Sequence, residues 1–574
     1  MENNQKKPRF MSALFFAKEI SGISSGREKT HFLNKFNKLT DSIMKSLAYT
    51  SSRAIGFFFL SFGLLSLIMN LSKYYFAENP VVELTTLIIC AIFVVVGIPL
   101  FFIEKPLCIM LQDFVITDYI FFEFFSIKRM RRDEKIETIP NLVAIILGLI
   151  FAIPAFLVSV EFVLLALGLV IFAIMAFVSP EFPFLFTVLI LPYISIFPFS
   201  NYILTGLLVL TLISFFRKVK LGKRVYVFGI SDVLIFVFAL VIFIFGIVGK
   251  GDATIEENLV YFIFSLAYIP AANMIVNRRL GDCAVEAVLA SAVPVAIYSL
   301  AVHILRLMGA VDASYHLIGS SASVASILFV ASAFALFYIP HSKGLKRAVT
   351  VVELVVYLAA LLTSGLVPVL IILPVFVVAF IVVFRLGLSK IWALLLFLLP
   401  GCVFLLPASV LNSISTFFSM NVTLAEMRGQ LLYSAELFIK NAFVGVDYST
   451  DSLLIFTNTP IGIGLRFGVF AIVIITLILF LRFRQLSLYD SYLRSSSSLL
   501  RLSNMSFLAM MSLLMIGWFT DVSADMSIYA LFFLIFGMST ASLRISKNEY
   551  EDRLRYFGDN RSVESSDADI TLKR

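Results

Sequence analysis

The sequence predicts an all-α, polytopic integral membrane protein, and three observations carry that prediction. Of its 574 residues 60% are hydrophobic and only 14% charged, with a mean hydropathy of +0.98; a soluble globular chain carries roughly 25% charged residues. The apolar residues fall in many long runs, and about 18 to 20 residues suffice to cross the hydrocarbon core as a helix. The runs are continuously apolar rather than alternating, which excludes a β-barrel.

Taken in order, residues 1–53 form a basic segment expected in the cytoplasm. They contain no short apolar core followed by small residues, so no cleavable signal peptide is expected. The first spans are predicted near 54–71 and 84–103. The stretch 104–141 follows on the cytoplasmic side; its part from Pro106 to Ile127 is amphipathic and aromatic and fits the membrane interface. It ends in the basic cluster Lys128, Arg129, Arg131 and Arg132. The membrane core, 142–411, is predicted to hold spans near 142–160, 161–178, 183–199, 201–216, 233–249, 259–276, 284–305, 322–340, 349–364, 366–384 and 391–411. A large polar break at 412–460 precedes the last three spans, at 461–482, 503–520 and 526–543. The tail 544–574 is charged and Ser/Asp/Glu-rich towards its end, a composition that resists ordering. The total is about sixteen spans at the length one crossing needs.

Charge placement tests this count. With the N-terminus inside, the loops expected in the cytoplasm carry Arg217, Lys218, Lys220, Lys223 and Arg224; Arg278 and Arg279; Lys343, Lys346 and Arg347; Arg385 and Lys390; and Arg482 and Arg484. The loops expected outside carry Asp252, Glu256 and Glu257, then Asp521 and Asp525. One span more or fewer would invert every later loop and break the positive-inside pattern. The break at 412–460 therefore falls outside, and both termini fall in the cytoplasm of a bacterial-type plasma membrane. The same pattern accounts for the net charge of +8 without nucleic acid.

Few side chains here suggest chemistry. The four cysteines, Cys90, Cys108, Cys283 and Cys402, lie in or beside apolar runs without metal-ligand spacing and read as small core residues. No clustered ligands suggest a metal, and no cofactor is expected. Charges within spans are rare. Arg466 stands out, about one turn inside the span after the polar break: either an arginine snorkelling to the interface, or a cation at the mouth of the bundle facing an anionic group. The break itself holds Glu426, Arg428, Glu436, Lys440, Asp447 and Asp451, with Leu424 to Phe443 patterned as an amphipathic helix. His316 lies in another external loop and reads as a solvated side chain or a remote candidate base.

The pattern Met427-Arg428-x3-Leu432-x-x-Ala435-x3-Ile439-Lys440-x-x-Phe443-x-Gly445-Val446, followed by Thr457-Asn458 and Arg466-Phe467-Gly468-Val469-Phe470, resembles the O-antigen ligase family and the related O-antigen, capsule and exopolysaccharide polymerases. That family carries an Arg-led helix in a large external loop, a Gly-Val-Gly turn, a His-Asn or Asp-Asn pair and a Glu-x-Gly entry into the next span, with three spans after the loop. Thr363-Ser364-Gly365 is similar to its Thr-x-Ser-Arg-Gly motif. Arg428, Gly445, Asn458 and Gly468 match well. The loop histidine of the family corresponds to Thr457, its glutamate to Arg466 and its second turn glycine to Asp447, while the motif arginine is absent at Ser364-Gly365. The resemblance covers roughly residues 180–543 and is specific over 427–470, so the two-helix segment 54–141 and the N-terminus look like additions.

The resemblance implies a metal-independent membrane glycosyltransferase acting on a polyprenyl-pyrophosphate-linked glycan at the outer face, with a glycan or lipid as acceptor. Arg428 and Arg466 would stabilise the leaving pyrophosphate, with Lys440 and His316 as further binding residues. Asn458 would orient the acceptor, and Asp447 or Asp451 would serve as base. Two rivals belong to other classes: a flippase-type transporter of lipid or polysaccharide, and a non-catalytic scaffold that gathers other polysaccharide-assembly proteins. Prolines in spans (Pro99, Pro154, Pro270, Pro294, Pro368, Pro374, Pro400) do not fall in the symmetric pairs that transporter halves often show.

Overall fold

The computed structural model describes residues 42–43, 46, 49–76, 84–125, 129, 140–197, 199–221, 224, 226–249, 255–276, 278–310, 318–366, 368–384, 395–418, 420, 422–443, 445, 457–488 and 497–545. Asp447, Asp451 and His316, most of the N-terminal segment and the charged tail beyond 545, and three of the four cluster residues (Lys128, Arg131, Arg132) lie outside the described residues.

Among the described residues the chain is all-helical, with one isolated β-bridge between Ser51 and Pro106. Helix is the form a single segment can take in hydrocarbon, because every backbone N–H and C=O is then paired within the segment. Among the described residues seven helices are long and apolar enough to cross a membrane: Ser52–Ser72, Val160–Phe177, Ser200–Lys220, Arg279–Leu307, Ser321–Tyr338, Thr459–Gln485 and Met526–Ile545. By length and composition this is a multi-pass membrane protein. Six further apolar helices are shorter: Thr86–Phe101, Asn141–Leu157, Glu181–Ile196, Ile230–Phe245, Val369–Ile381 and Leu502–Ile516.

Two segments expected as single spans are interrupted at proline. Over 259–276 the chain forms Ile255–Ser265 and then Tyr268–Met274. Pro270 has no N–H to continue the ladder, and Ala267 and Ile269 instead close tight turns to Phe264 and Leu266. Over 391–411 the described part turns as a 3-10 helix, Gly401–Leu405, between Pro400 and Pro407 before the helix Ala408–Phe417 begins.

The chain divides into two compact units between Pro183 and Phe184. In the first, helices α1 (Ser52–Phe76), α2 (Leu84–Phe101), α3 (Asn141–Leu157) and α4 (Val160–Val178) surround a small core of Phe62, Cys90, Ala152, Ala155 and Val160. Between α2 and α3, a short helix Leu107–Asp113 and a π-helical turn Asp118–Phe124 expose Phe114, Val115 and Ile116, while Arg129 pairs with Asp118 at 2.6 Å and with Glu123 at 3.3 Å. An apolar, aromatic face beside charged pairs suits a membrane interface.

The second unit comprises α5 (Ser200–Lys220), α6 (Ile230–Gly249), α7 (Ile255–Ser265), α8 (Arg278–Leu307), α9 (Ser321–Tyr338), α10 (Gly344–Thr363), α11 (Val369–Phe384), α12 (Ala408–Phe417), α13 (Leu424–Lys440), α14 (Thr459–Leu488), α15 (Ser497–Ile516) and α16 (Met526–Ile545). Its core is built on α9 and α16, which are buried almost all round. Helix α9 packs against α8, α10 and α15, and its fully buried Ala325, Ser326, Ala331, Ser332, Ala333 and Ala335 keep the backbones close. The outer faces of these helices carry exposed Val352, Val355, Val473 and Phe480, an arrangement that is costly in water and neutral in lipid.

Candidate functional site

The N-terminal end of α14 is fixed first. Asn458 caps the helix, its Oδ1 accepting from Ile461 N at 3.0 Å and its carbonyl from Gly462 N at 2.8 Å. Thr457 and Asn458 are both buried. The next residue ties α14 to the turn joining α15 and α16: Thr459 N donates to Gly517 O at 2.8 Å, its Oγ1 donates to Thr520 O at 3.2 Å, and that same Oγ1 accepts from Val522 N at 3.1 Å.

Two turns on, Arg466 points into the bundle, with only 4% of its side chain exposed. Its Nη2 meets Asp521 Oδ2 at 2.5 Å, and its Nη1 donates to Ser523 Oγ at 3.2 Å and Tyr261 OH at 3.3 Å. The guanidinium also stacks over the Tyr261 ring, 6.0 Å from its centroid. Asp521 Oδ1 accepts from Ser523 N at 3.0 Å and Ser523 Oγ at 2.5 Å, and Tyr261 OH donates to Ser523 O at 3.1 Å. Tyr529 closes the cluster, sharing a hydrogen bond with Ser265 at 2.6 Å and meeting Tyr261 edge to face. Asp521 reaches this position because Gly462 has no side chain; a Cβ there would collide with the carboxylate. Burial pushes the Asp521 carboxyl above the ordinary carboxylate range, while the Arg466 charge and the Ser523 donors oppose that shift. Its ionisation therefore depends on the pair.

The helix breaks immediately after this cluster. Gly468 takes φ 77° and ψ 177°, and the freed N–H of Val469 donates to Ala442 O at 2.7 Å. The turn that ends α13 thus fills the gap in α14. Gly445, also at positive φ, lies against the carbonyls of Leu465 and Arg466, where a Cβ would come within 2.8 Å of either oxygen. Neither conformation suits a residue with a side chain. At the other end of α13, Thr423 and Glu426 form a reciprocal capping box, Glu426 N donating to Thr423 Oγ1 at 3.2 Å and Thr423 N to Glu426 Oε2 at 2.9 Å.

The remaining expected site residues lie apart from the Arg466 cluster in their bonding. Arg428 is half-buried on α13; its Nη1 donates to Leu406 O at 2.8 Å, and it forms no ion pair among the described residues. Lys440 is exposed and pairs with Glu436 one turn back at 2.8 Å, which holds the Glu436 carboxyl below and the Lys440 ammonium above their ordinary ranges. Asn458 and Arg466 are thus brought together on one helix end, Arg428 is directed to the 401–406 turn, and Lys440 is bound to its own helix. Asp521, Ser523 and Tyr261 were not singled out by sequence reasoning. Asp521 stood out only as an acid marking an external loop, and nothing in the sequence distinguished Tyr261.

Chemically, the Arg466–Asp521 pair is charge-compensated and closed, a buried anchor in this state. Among the described residues Arg428 has no carboxylate within ion-pair distance, and its guanidinium is half-exposed with donors beyond the one that meets Leu406 O. Among the described residues no three His, Cys, Asp or Glu side chains converge to hold a metal ion. No protein-family model, curated protein or solved structure matches this chain.

Proposed function

We propose that this chain is an O-antigen ligase- or polymerase-like membrane glycosyltransferase of cell-surface polysaccharide synthesis. In this reading it crosses a bacterial-type plasma membrane about sixteen times, keeps both termini in the cytoplasm, and presents 412–460 outside. A polyprenyl-pyrophosphate-linked glycan is the donor, and a glycan or lipid hydroxyl is the acceptor. The acceptor oxygen bonds to the anomeric carbon as the bond to the lipid pyrophosphate breaks; the hydroxyl proton passes to a base and the pyrophosphate leaves with the bonding pair. Arg428 balances the charge that develops on the pyrophosphate. Asp447 or Asp451 takes the proton. Asn458 orients the acceptor, Lys440 and His316 add to substrate binding, and Arg466 holds the α14 end in register.

The observation that carries this reading is the seating of the turn after α13 in the break of α14. The two matched glycines, Gly445 and Gly468, stand at positive φ on the two sides of that junction. The described parts of the segment that resembles the family, 427–443 and 457–470, therefore pack as one junction, and Arg428 on it forms no ion pair among the described residues. The test is surface polysaccharide analysis of a deletion strain complemented with wild type or Arg428→Ala. Loss of long polymer with build-up of lipid-linked repeat units in the variant supports the reading; full restoration at equal membrane levels refutes it.

The scaffold reading is favoured by one observation: Asn458 and Arg466 are both engaged in holding the fold, one as helix cap and one as ion pair. A complementing strain that needs the protein's presence but tolerates Arg428→Ala would select it.

A further inference from the structure

Between α14, the C-terminal turns of α15 and α16 lies a cavity of about 330 Å³. Its wall is apolar and includes Ile475, Leu479, Leu514, Phe532 and Phe533. The polar groups in its depth are already engaged, and Thr476 places a hydroxyl at its open side. Thr459 bonds to the 520–522 turn, Ser523 to Asp521, Tyr529 to Ser265, and the Trp518 indole N–H donates to Phe397 O at 3.2 Å. A ligand headgroup would meet only engaged groups in that depth, so the inner part of the site selects hydrocarbon. Its open side is marked by Thr476 and Phe480, both exposed, on the face of α14 that also exposes Val473 and Leu477. That face belongs to a helix apolar enough to span a membrane, so what enters comes from the bilayer core. Water has no reason to stay, because apolar cavities of this kind remain dry. At about 30 Å³ per water-sized group the space holds roughly eleven chain carbons, enough for much of one unbranched chain, whereas a long isoprenoid would leave most of its length in the bilayer.

We propose that this cavity is a binding site for one acyl chain of a membrane phospholipid, which enters past Thr476 and Phe480 and lies along α14. The site goes beyond the glycosyl-transfer reading and does not rest on it. Because its wall joins α14 to the 518–523 turn, an occupied site would brace the Arg466–Asp521 cluster from the lipid side.

The test uses the full chain in phosphatidylethanolamine and phosphatidylglycerol vesicles that contain a phospholipid with a diazirine in mid-chain. After irradiation, label is expected to concentrate on peptides around Ile475 and Leu514, above the level on the lipid-facing side of α10 at Val352 and Val355. Filling the cavity with Leu514→Trp should lower the α14–α15 label about tenfold, a tenfold loss of occupancy, and leave the α10 label unchanged. Ile475→Phe fills the same space from the open side and serves if Leu514→Trp does not fold. Label on the wall no greater than on α10, or insensitive to both substitutions, overturns the proposal. So does displacement by equimolar polyprenyl phosphate that excess unlabelled phospholipid cannot match, which would make it an isoprenoid site. Polysaccharide synthesis is scored separately, so neither result bears on the other.

Discussion

Arg466 and Asp521 meet at 2.5 Å with both side chains almost wholly buried, although 55 residues separate them in sequence. The contact joins the first turns of α14 to the turn between α15 and α16, and Tyr261 brings α7 to the same point. A buried pair of this kind is weak evidence for net stability, but removing one partner leaves an uncompensated charge.

Asp521→Ala should therefore destabilise the protein by about 3–5 kcal/mol, read as a fall in melting temperature in detergent. The double variant Arg466→Met, Asp521→Leu should recover most of that loss, because it removes both charges and leaves an apolar contact. A double variant no more stable than Asp521→Ala would mean that the pair's hydrogen bonds, not its charge balance, hold the turn.

The pair also predicts a pH dependence. Burial raises the Asp521 carboxyl and Arg466 opposes the rise. In Arg466→Met the opposing cation is gone, so the folded carboxyl binds its proton more tightly than the unfolded one, near pH 3.9. Where the folded state binds more protons, stability falls as pH increases. The variant should be most stable below the ordinary carboxylate range and lose stability as pH rises through the raised value. Melting temperatures of variant and wild type measured across acid to neutral pH check the sign; parallel curves would contradict it.

Gly445→Ala and Gly468→Ala should each cost about 1–3 kcal/mol, the usual penalty for forcing a side chain into left-handed backbone. Each new Cβ would also meet a carbonyl oxygen across the junction, 2.8 Å away for Gly445 and 2.7 Å for Gly468. Both substitutions should open the turn after α13 to protease at temperatures where the bundle remains folded. Protection equal to wild type would show that the turn does not depend on the α14 break.

The all-helical fold was legible because long apolar runs leave the backbone no alternative in hydrocarbon. The sequence located less well where those runs fail. Pro270 and Pro400 were read as residues within spans, yet the helix stops at 265 and at 398–400 around them. Gly468 lay inside one apolar run, and only the carbonyl of Ala442 arriving at Val469 N makes its break stable. Arg466 was visible as an exceptional charge, but its partner was not, since Asp521 reaches it only through the space that Gly462 leaves. Thr423 and Glu426 carry capping-box spacing, a local signal that identifies Glu426 as a helix cap rather than a site carboxylate.

Arg482 offers a contrast to Arg466 on the same helix. It is equally buried, donates to Ser539 Oγ at 2.7 Å and Gln485 Oε1 at 3.2 Å, lies over Phe536, and has an Nε without a partner. No carboxylate lies within ion-pair distance among the described residues. Arg482→Met keeps the length of the stem and removes an uncompensated charge, so the melting temperature should hold or rise. A fall of the size seen for Asp521→Ala would reveal a counter-charge bound at Arg482.

Arg428 and Lys440 separate function from stability within α13. Lys440 is exposed and its pair with Glu436 is a surface contact, so Lys440→Ala should leave the melting temperature essentially unchanged and lower polymer less than Arg428→Ala does. Among the described residues Arg428 has one hydrogen bond, to Leu406 O, and no carboxylate stands against its remaining donors. If those donors hold a pyrophosphate, their loss removes charged hydrogen bonds worth about 1.5–3 kcal/mol each, which is on the order of ten- to a hundredfold in rate. Arg428→Lys keeps the charge without the planar fork and should restore part of the activity. Polymer yield and chain length from the three variants, at matched membrane levels, give the comparison. An Arg428→Ala strain that makes wild-type polymer while Lys440→Ala does not would move the anion site to the C-terminal end of α13.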